Sequence, residues 1–445
     1  MGQKKLSLFD LTMIVVSLVI GMGIFRTPAV AAAKAGSQTI FFLAWLIGGL
    51  VALCGALTYA EIGSRYPVTG GYYKIFSYAY HPSVAFAVNC IILVSNAAST
   101  AVIAVIGVEY IGHFFYDGPV PELFKQGVSI GSVTLFYVIN MMGLKMSSRV
   151  QNVLILIKIS LIILLLLSVF GTYPVHRLHS VPPGPGTPTH PVSLWGFFKA
   201  LGIGLIAVSF SYEGYQQSIN FGGEVQHAPR TIPRGISYGI MIIILLYLSL
   251  NFVYVKVIGF EDLKNADSIA AILINHLFGP IGEQILRVLM LLSVLAYVNV
   301  LLLSNPRVML AMGEEGILPP AFKKKTARRE VCIWSLTVFY AMIIIILLFS
   351  STVERIINYS IFLDCIGMST SAAALFLLRK RRVGEDGGDV YRMKLYPFLP
   401  IIFILSYIVL ATSIVLDDPP SAVFGVLIFL AFFILYFLIK RRVKG

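Results

Sequence analysis

"VSLVIGMGIFRTPAV", residues 16–30, sets Gly21 and Gly23 in the middle of an apolar run, with Pro28 shortly beyond them. Glycine weakens a helix interior by about 1 kcal/mol and proline by about 3 kcal/mol. The stretch therefore reads as two half-helices with non-helical backbone between them. What such a break does depends on the solvent around it.

That solvent is lipid. Of 445 residues, 58% are hydrophobic and only 12% charged, with a mean hydropathy of +0.86, outside the soluble globular range. Apolar stretches of roughly the 20 residues that cross a bilayer recur at 10–33, 38–64, 82–112, 128–147, 149–171, 193–221, 235–258, 279–312, 331–350, 355–378, 395–416 and 420–440. The expected fold is an all-α integral membrane protein of twelve transmembrane helices in a single domain over 1–445. No cleavable leader is expected, because the first apolar run is too long and lacks a small-residue cleavage site.

The net charge of +13 follows the loops. One side carries Lys4, Lys5, Arg65, Lys74, Lys145, Arg149, Arg230 and Arg234. The same side continues with Lys323 to Lys325, Arg328, Arg329, the run Arg379 to Arg382, Arg392, Lys394, Lys440, Arg441, Arg442 and Lys444. The opposite loops hold Lys34, Lys125, Arg177, Lys256, Lys264 and Arg355. By the positive-inside rule both termini are cytoplasmic, in what is expected to be the plasma membrane. The basic excess reports topology, and no nucleic acid partner is expected. Cys54, Cys90, Cys332 and Cys365 have neither metal-ligand nor disulfide-framework spacing. His176, His179 and His190 fall in a Pro- and Gly-rich loop, 172–193, without thiols or carboxylates nearby. No metal or cofactor is expected.

A second interruption lies in "LIAVSFSYEGYQQSINFGGEV", 205–225, where Ser209, Ser211, Tyr212, Glu213 and Gly214 break the sixth apolar run. Corresponding breaks in two halves of a membrane protein point to a transporter site between inverted repeats. The repeats would be 8–171 and 193–378, with 395–440 as two accessory helices.

In hydrocarbon an unpaired backbone group costs several kcal/mol, so such a break survives only against protein or a water-filled cavity. The half-helix before a break presents free carbonyls and negative charge, and the half after it free amides and positive charge. Two adjacent breaks make a dipolar socket, and an α-amino acid, with its carboxylate and ammonium, is a dipolar ligand. Glycine suits it because the backbone must take non-helical torsions and admit the ligand closely. The alternative for Gly21 and Gly23 is close helix packing. A dinucleotide-binding loop is excluded because no strand–turn–helix context surrounds them.

Ionisable residues inside spans are the next signal, since each costs roughly 2.5 kcal/mol or more. Lys158, in "NVLILIKISLIILLL", either snorkels to the interface or holds its ammonium between segments one, five and eight. There Asn299 and Ser304 would be its partners, and a fixed ammonium would remove the need for sodium. Glu213 and Arg26 either pair across a vestibule or are free to meet a charged substrate. Glu61 and Arg65 make a cytoplasmic ion pair.

"GMGIFRTP" resembles the G-S-G-I-F-x-T-P signature of L-type amino acid transporters, in the amino acid–polyamine–organocation superfamily. "YAEIGSRYPVTGGYY" (59–73), "FSYEGY" (210–215), Glu224 with "PRTIP" (229–233) and "NVLLLSNPRVMLAMGEEGILP" (299–319) are similar to further motifs of that family. Lys158 falls where its sodium-independent members carry a lysine. The resemblance implies five-plus-five inverted repeats with discontinuous helices one and six, and alternating access. It rests the substrate carboxylate on the amides of Met22, Gly23 and Ile24, and the ammonium on the carbonyls of Ile20, Phe210 and Ser211. Gly21, Glu213 and Gly214 complete that site, with Arg26, Phe210 and Tyr215 as gate residues. Met22 replaces a small residue, Tyr215 replaces a tryptophan, and the stretch from Gly214 to Pro229 is one residue longer. Residues 113–127 lack the external cysteine that joins animal members to a glycoprotein, so no disulfide-linked partner is expected.

The expected function is sodium-independent transport of neutral or broad-range amino acids, by exchange, with proton symport as the alternative. A membrane-embedded enzyme would want a nucleophile with its base, a carboxylate pair or a histidine–metal site at membrane depth. A nutrient sensor would want an added soluble domain.

Overall fold

The computed structural model describes residues 5–444 apart from 22, 113, 117, 173–193, 267, 327–330, 349–352, 386–389 and 418. Loop 172–193 and its histidines thus lie almost wholly outside the described residues.

Among the described residues the chain is helical between its turns, with two isolated bridges, Leu6 with Val225 and Thr69 with Phe221. In order the helices are α1 (Leu8–Val19), α2 (Gly23–Ala35), α3 (Gln38–Arg65), α4 (Gly71–Ala79), α5 (Pro82–Gly112), α6 (Glu122–Met141), α7 (Leu144–Leu167) and α8 (Leu194–Ser209). Then come α9 (Ala228–Ile258), α10 (Phe260–Lys264), α11 (Ile269–Phe278), α12 (Pro280–Glu314), α13 (Ile333–Leu348), α14 (Val353–Lys380), α15 (Phe398–Asp417) and α16 (Pro419–Lys444).

Each of the twelve apolar stretches coincides with a helix or a broken helix. Six helices among the described residues are long and apolar enough to cross a membrane, or seven when α1 and α2 count as one bent span. The fourth and fifth stretches divide earlier than expected, at Gly143, whose φ of +112° ends one helix before the next. Helix α1 starts in a capping box: the Asp10 amide donates to Ser7 Oγ at 3.2 Å, and the Ser7 amide donates back to Asp10 Oδ2 at 3.0 Å.

Large apolar side chains such as Leu245, Phe252, Val409 and Leu416 point outward, as expected of surfaces that face lipid rather than water. Inside, small residues let backbones approach: a Cβ on Gly239 of α9 would overlap Val15 of α1. The neighbour relations are regular. Helix α3 packs along α9, α5 along α12, and α6 along α13. Helix α1 leans on α9 as α8 leans on α3, and α7 packs on α12 as α14 packs on α5. All four cysteines are free, and Cys54, Cys332 and Cys365 are buried.

Candidate functional site

The first break is real and short. The Ile20 amide still donates to the Val16 carbonyl at 2.9 Å, the Gly21 amide turns to Val19 O at 2.8 Å, and α2 begins at Gly23. The two half-helices meet at a 44° bend. Met22 lies outside the described residues.

The second break is larger than the sequence implies. After α8 come a 3-10 turn at Phe210–Tyr212, an extended Glu213, and Gly214 at φ +116°. The chain then runs through further 3-10 turns at Tyr215–Asn220 and Gly222–Glu224 rather than resuming an α-helix. Local chemistry explains this. Gly214 occupies a left-handed conformation that α-helix excludes. Ser218 Oγ takes up the Tyr215 carbonyl at 2.6 Å. Asn220 is held by the fold around it, accepting from the Tyr72 amide at 3.1 Å and donating to Ser304 Oγ at 3.3 Å.

The breaks face each other. A Cβ on Gly23 would lie 3.0 Å from Ser211 Oγ, and one on Gly214 would overlap the Leu18 carbonyl oxygen. Between them opens a cavity of about 290 Å³, lined by Gly21, Gly23, Ser211, Glu213 and Gly214. Its far walls are Ser95 and Asn96 of α5, Gln217 and Asn220 beyond the second break, Tyr297 and Asn305 of α12, and Asp364 of α14. Asn96 donates to Asn305 Oδ1 at 2.7 Å and accepts from Gln217 Nε2 at 3.2 Å. Ser95 Oγ donates to Asp364 Oδ2 at 3.1 Å. Three buried polar atoms of this wall have no hydrogen-bond partner: Ser211 Oγ, Glu213 Oε1 and Gln217 Oε1. A buried polar atom left unpaired costs about 1–3 kcal/mol, so three of them on one cavity call for a partner there.

Lys158 does not snorkel. It is 1% exposed, and its Nζ donates to the Ile20 carbonyl at 2.5 Å, an oxygen expected to meet the substrate ammonium. The lysine thus holds the carbonyl end of α1. Asn299 is bonded elsewhere: it donates to Gln151 Oε1 at 2.6 Å and accepts from Asn140 Nδ2 at 2.8 Å. Gln151 in turn donates to Ser17 Oγ at 2.6 Å, so this chain of amides ties α1 to α6, α7 and α12. Ser304 meets Asn220 instead.

Ile24 is buried, and its carbonyl accepts from Tyr254 at 3.4 Å. Among the described residues no ion pair joins Arg26 to Glu213; Arg26 is exposed on α2. Tyr215 packs against Gly55 and Tyr59 of α3 rather than lining the cavity. Phe210 is placed by its backbone at the second break, and its side chain is outside the described residues.

On the basic-rich side, Glu61 accepts from Arg65 Nε at 2.8 Å, Arg379 Nη2 at 2.7 Å and the Met393 amide at 2.9 Å. Arg307 holds Glu224 through Nη2 at 2.7 Å and Nε at 3.0 Å. Sequence reasoning missed Ser95, Asn96, Asn305 and Asp364. For Asp364 a signal existed: a lone carboxylate inside the apolar run 361–369.

The family described as "Amino acid permease" matches residues 6–439. The serine/threonine exchanger SteT of Bacillus subtilis is 28% identical, over 99% of this chain and 98% of its own. The mouse b(0,+)-type amino acid transporter 1 is 25% identical over 98% and 88%. The human cystine/glutamate transporter is 24% identical over 96% and 83%.

Proposed function

Because the chain belongs to the amino acid permease family, we propose that it moves neutral or broad-range L-amino acids across the membrane by alternating access, without sodium and by exchange. The observation that carries this is the contact of the two breaks, Gly23 against Ser211, at the edge of a polar cavity. The first amides of α2, at Gly23 and Ile24, precede the internal hydrogen bonds of the helix and would donate to the substrate carboxylate, and the positive end of the helix dipole favours it there. The carbonyls of Phe210 and Ser211 offer the ammonium a place. Such a socket takes a zwitterion and repels neither end of it.

Two features support the finer reading. The helix neighbours pair as five-plus-five repeats would: exchanging segments one to five for six to ten carries α3 on α9, α5 on α12 and α6 on α13 into themselves. It also exchanges α1 on α9 with α8 on α3, and α7 on α12 with α14 on α5. An odd number of spans per repeat inserts the second upside down, which is the inverted arrangement. Lys158 supports sodium independence, since its ammonium already neutralises the carbonyl end of α1 where a bound cation would otherwise be needed. Helices α15 and α16 are accessory, both termini are cytoplasmic, and no disulfide-linked partner takes part.

The full chain in proteoliposomes tests this reading. Uptake of radiolabelled amino acid should rise at least tenfold when the vesicles hold unlabelled substrate, and should be the same in sodium and choline buffers. Uptake driven by an inward proton gradient, and indifferent to internal substrate, would make the protein a symporter.

A further inference from the structure

A second cavity, of about 440 Å³, opens on the basic-rich side and shares no lining residue with the one between the breaks. One wall is the start of α9, with Arg230, Arg234, Ser237 and Tyr238; the other is Val390 and Tyr391, in the segment that leads to α15. One buried side chain ties the walls together. Ser64, near the end of α3 and 1% exposed, donates through Oγ to the Pro229 carbonyl at 2.7 Å and accepts from the Tyr391 amide at 2.9 Å. The groove is therefore built by the fold and does not wait for a ligand to form it.

Its charge is one-sided. The described lining residues include two arginines and no acidic side chain, and among the described residues Arg234 has no ion-pair partner. The positive-inside rule accounts for arginines on this side, but not for a walled groove between them. Arg230, Arg234 and Tyr238 stand four residues apart, so they share one face of α9 over about 12 Å of its axis. Met241, Leu245 and Phe252 continue that face and are exposed. Guanidinium, phenol and then hydrocarbon follow one another along the helix.

A phospholipid presents its parts in that order: phosphate, interface, acyl chain. We propose that the groove binds an anionic phospholipid from the leaflet on the basic-rich side. Its phosphate lies on Arg230 and Arg234, whose planar guanidinium groups suit paired phosphate oxygens. Tyr238 sits at the headgroup boundary, where tyrosine is favoured, and an acyl chain runs along α9 toward Leu245 and Phe252. A free phosphate could use the arginines, but it would draw nothing from the apolar face beyond them. The bound lipid bridges α9, which follows the second break, to the segment before α15. Basic pockets at this level of a membrane protein take anionic headgroups for the same electrostatic reason.

The test titrates the full chain, in a neutral detergent, with dioleoylphosphatidylglycerol, dioleoylphosphatidylcholine or inorganic phosphate. Native mass spectrometry counts bound lipid, and the melting temperature gives a second readout. Phosphatidylglycerol is expected to bind about tenfold more tightly than phosphatidylcholine, and inorganic phosphate neither to displace it nor to raise the melting temperature. Arg234 is exposed, so Arg234→Gln leaves the core intact; it should weaken phosphatidylglycerol about fivefold and leave phosphatidylcholine unchanged. Lys323→Gln with Lys324→Gln, on the same side but outside the groove, should leave both affinities unchanged. Equal binding of the two lipids would overturn the proposal, as would an unchanged affinity in Arg234→Gln. A loss as large in the lysine pair would show diffuse attraction and overturn it too, and displacement of the lipid by phosphate would make the groove a free-anion site. If Arg234→Gln does not fold, the three ligands compared on the wild-type chain decide alone.

Discussion

Gly23 and Ser211 touch across the two helix breaks, with room for a Cβ on Gly23 only 3.0 Å from the Ser211 hydroxyl. A methyl there requires the serine to give by a few tenths of an ångström, while a branched side chain must enter the cavity itself. Gly23→Ala is expected to cut amino acid uptake several-fold and Gly23→Leu to abolish it, with both variants folded. Uptake into proteoliposomes, read beside the elution profile in detergent, checks this.

Lys158 should matter for both stability and turnover. Its removal leaves the buried Ile20 carbonyl without the ammonium that now holds it, a loss of about 1–3 kcal/mol. Lys158→Ala is expected to lower the melting temperature in detergent by several degrees and the exchange rate at least tenfold. A lysine that merely reached the membrane surface would change neither.

Gly214 is constrained twice, by a φ of +116° and by the Leu18 carbonyl oxygen beside it. Strain of that kind costs about 1–3 kcal/mol before any overlap is counted. Gly214→Ala should therefore separate the two breaks and lower stability more than Gly21→Ala, whose added Cβ meets only the Tyr297 ring at 3.9 Å. Paired thermal melts of the two variants give the comparison.

Arg307 and Glu224 join α12 to the end of the second broken segment. Their two hydrogen bonds are mostly buried, and the guanidinium also lies 4.4 Å above the Phe221 ring. A double-mutant cycle of Arg307→Ala and Glu224→Ala should return a coupling of about 1–3 kcal/mol. Loss of the pair should also raise the labelling of a cysteine placed at Asn220 by a thiol reagent added from the basic-rich side.

The frame of the molecule is legible in the chain because lipid imposes it. Apolar runs of spanning length give helices, and Gly21, Gly23 and Gly214 mark where they fail. Partners across helices are less legible, since they depend on how the helices turn against one another. Lys158 announces itself by charge, yet nothing local says that it meets Ile20 while Asn299 meets Gln151 and Asn140. The buried helices show little one-sided periodicity, being apolar on nearly every face, so Asn96 and Asn305 have no pattern to betray them, and of that wall only the lone charge of Asp364 shows in the sequence. The 3-10 run after Gly214 was hidden for another reason: it depends on Asn220 being held by Tyr72 and Ser304, which are distant in sequence.

The most direct measurement is a cryo-EM structure of the protein with a transported amino acid bound at saturating concentration. The two-break socket predicts ligand density between the α2 amides at Gly23 and Ile24 and the backbone at Ser211. Density seated elsewhere, with the space between Gly23 and Ser211 closed, would contradict it.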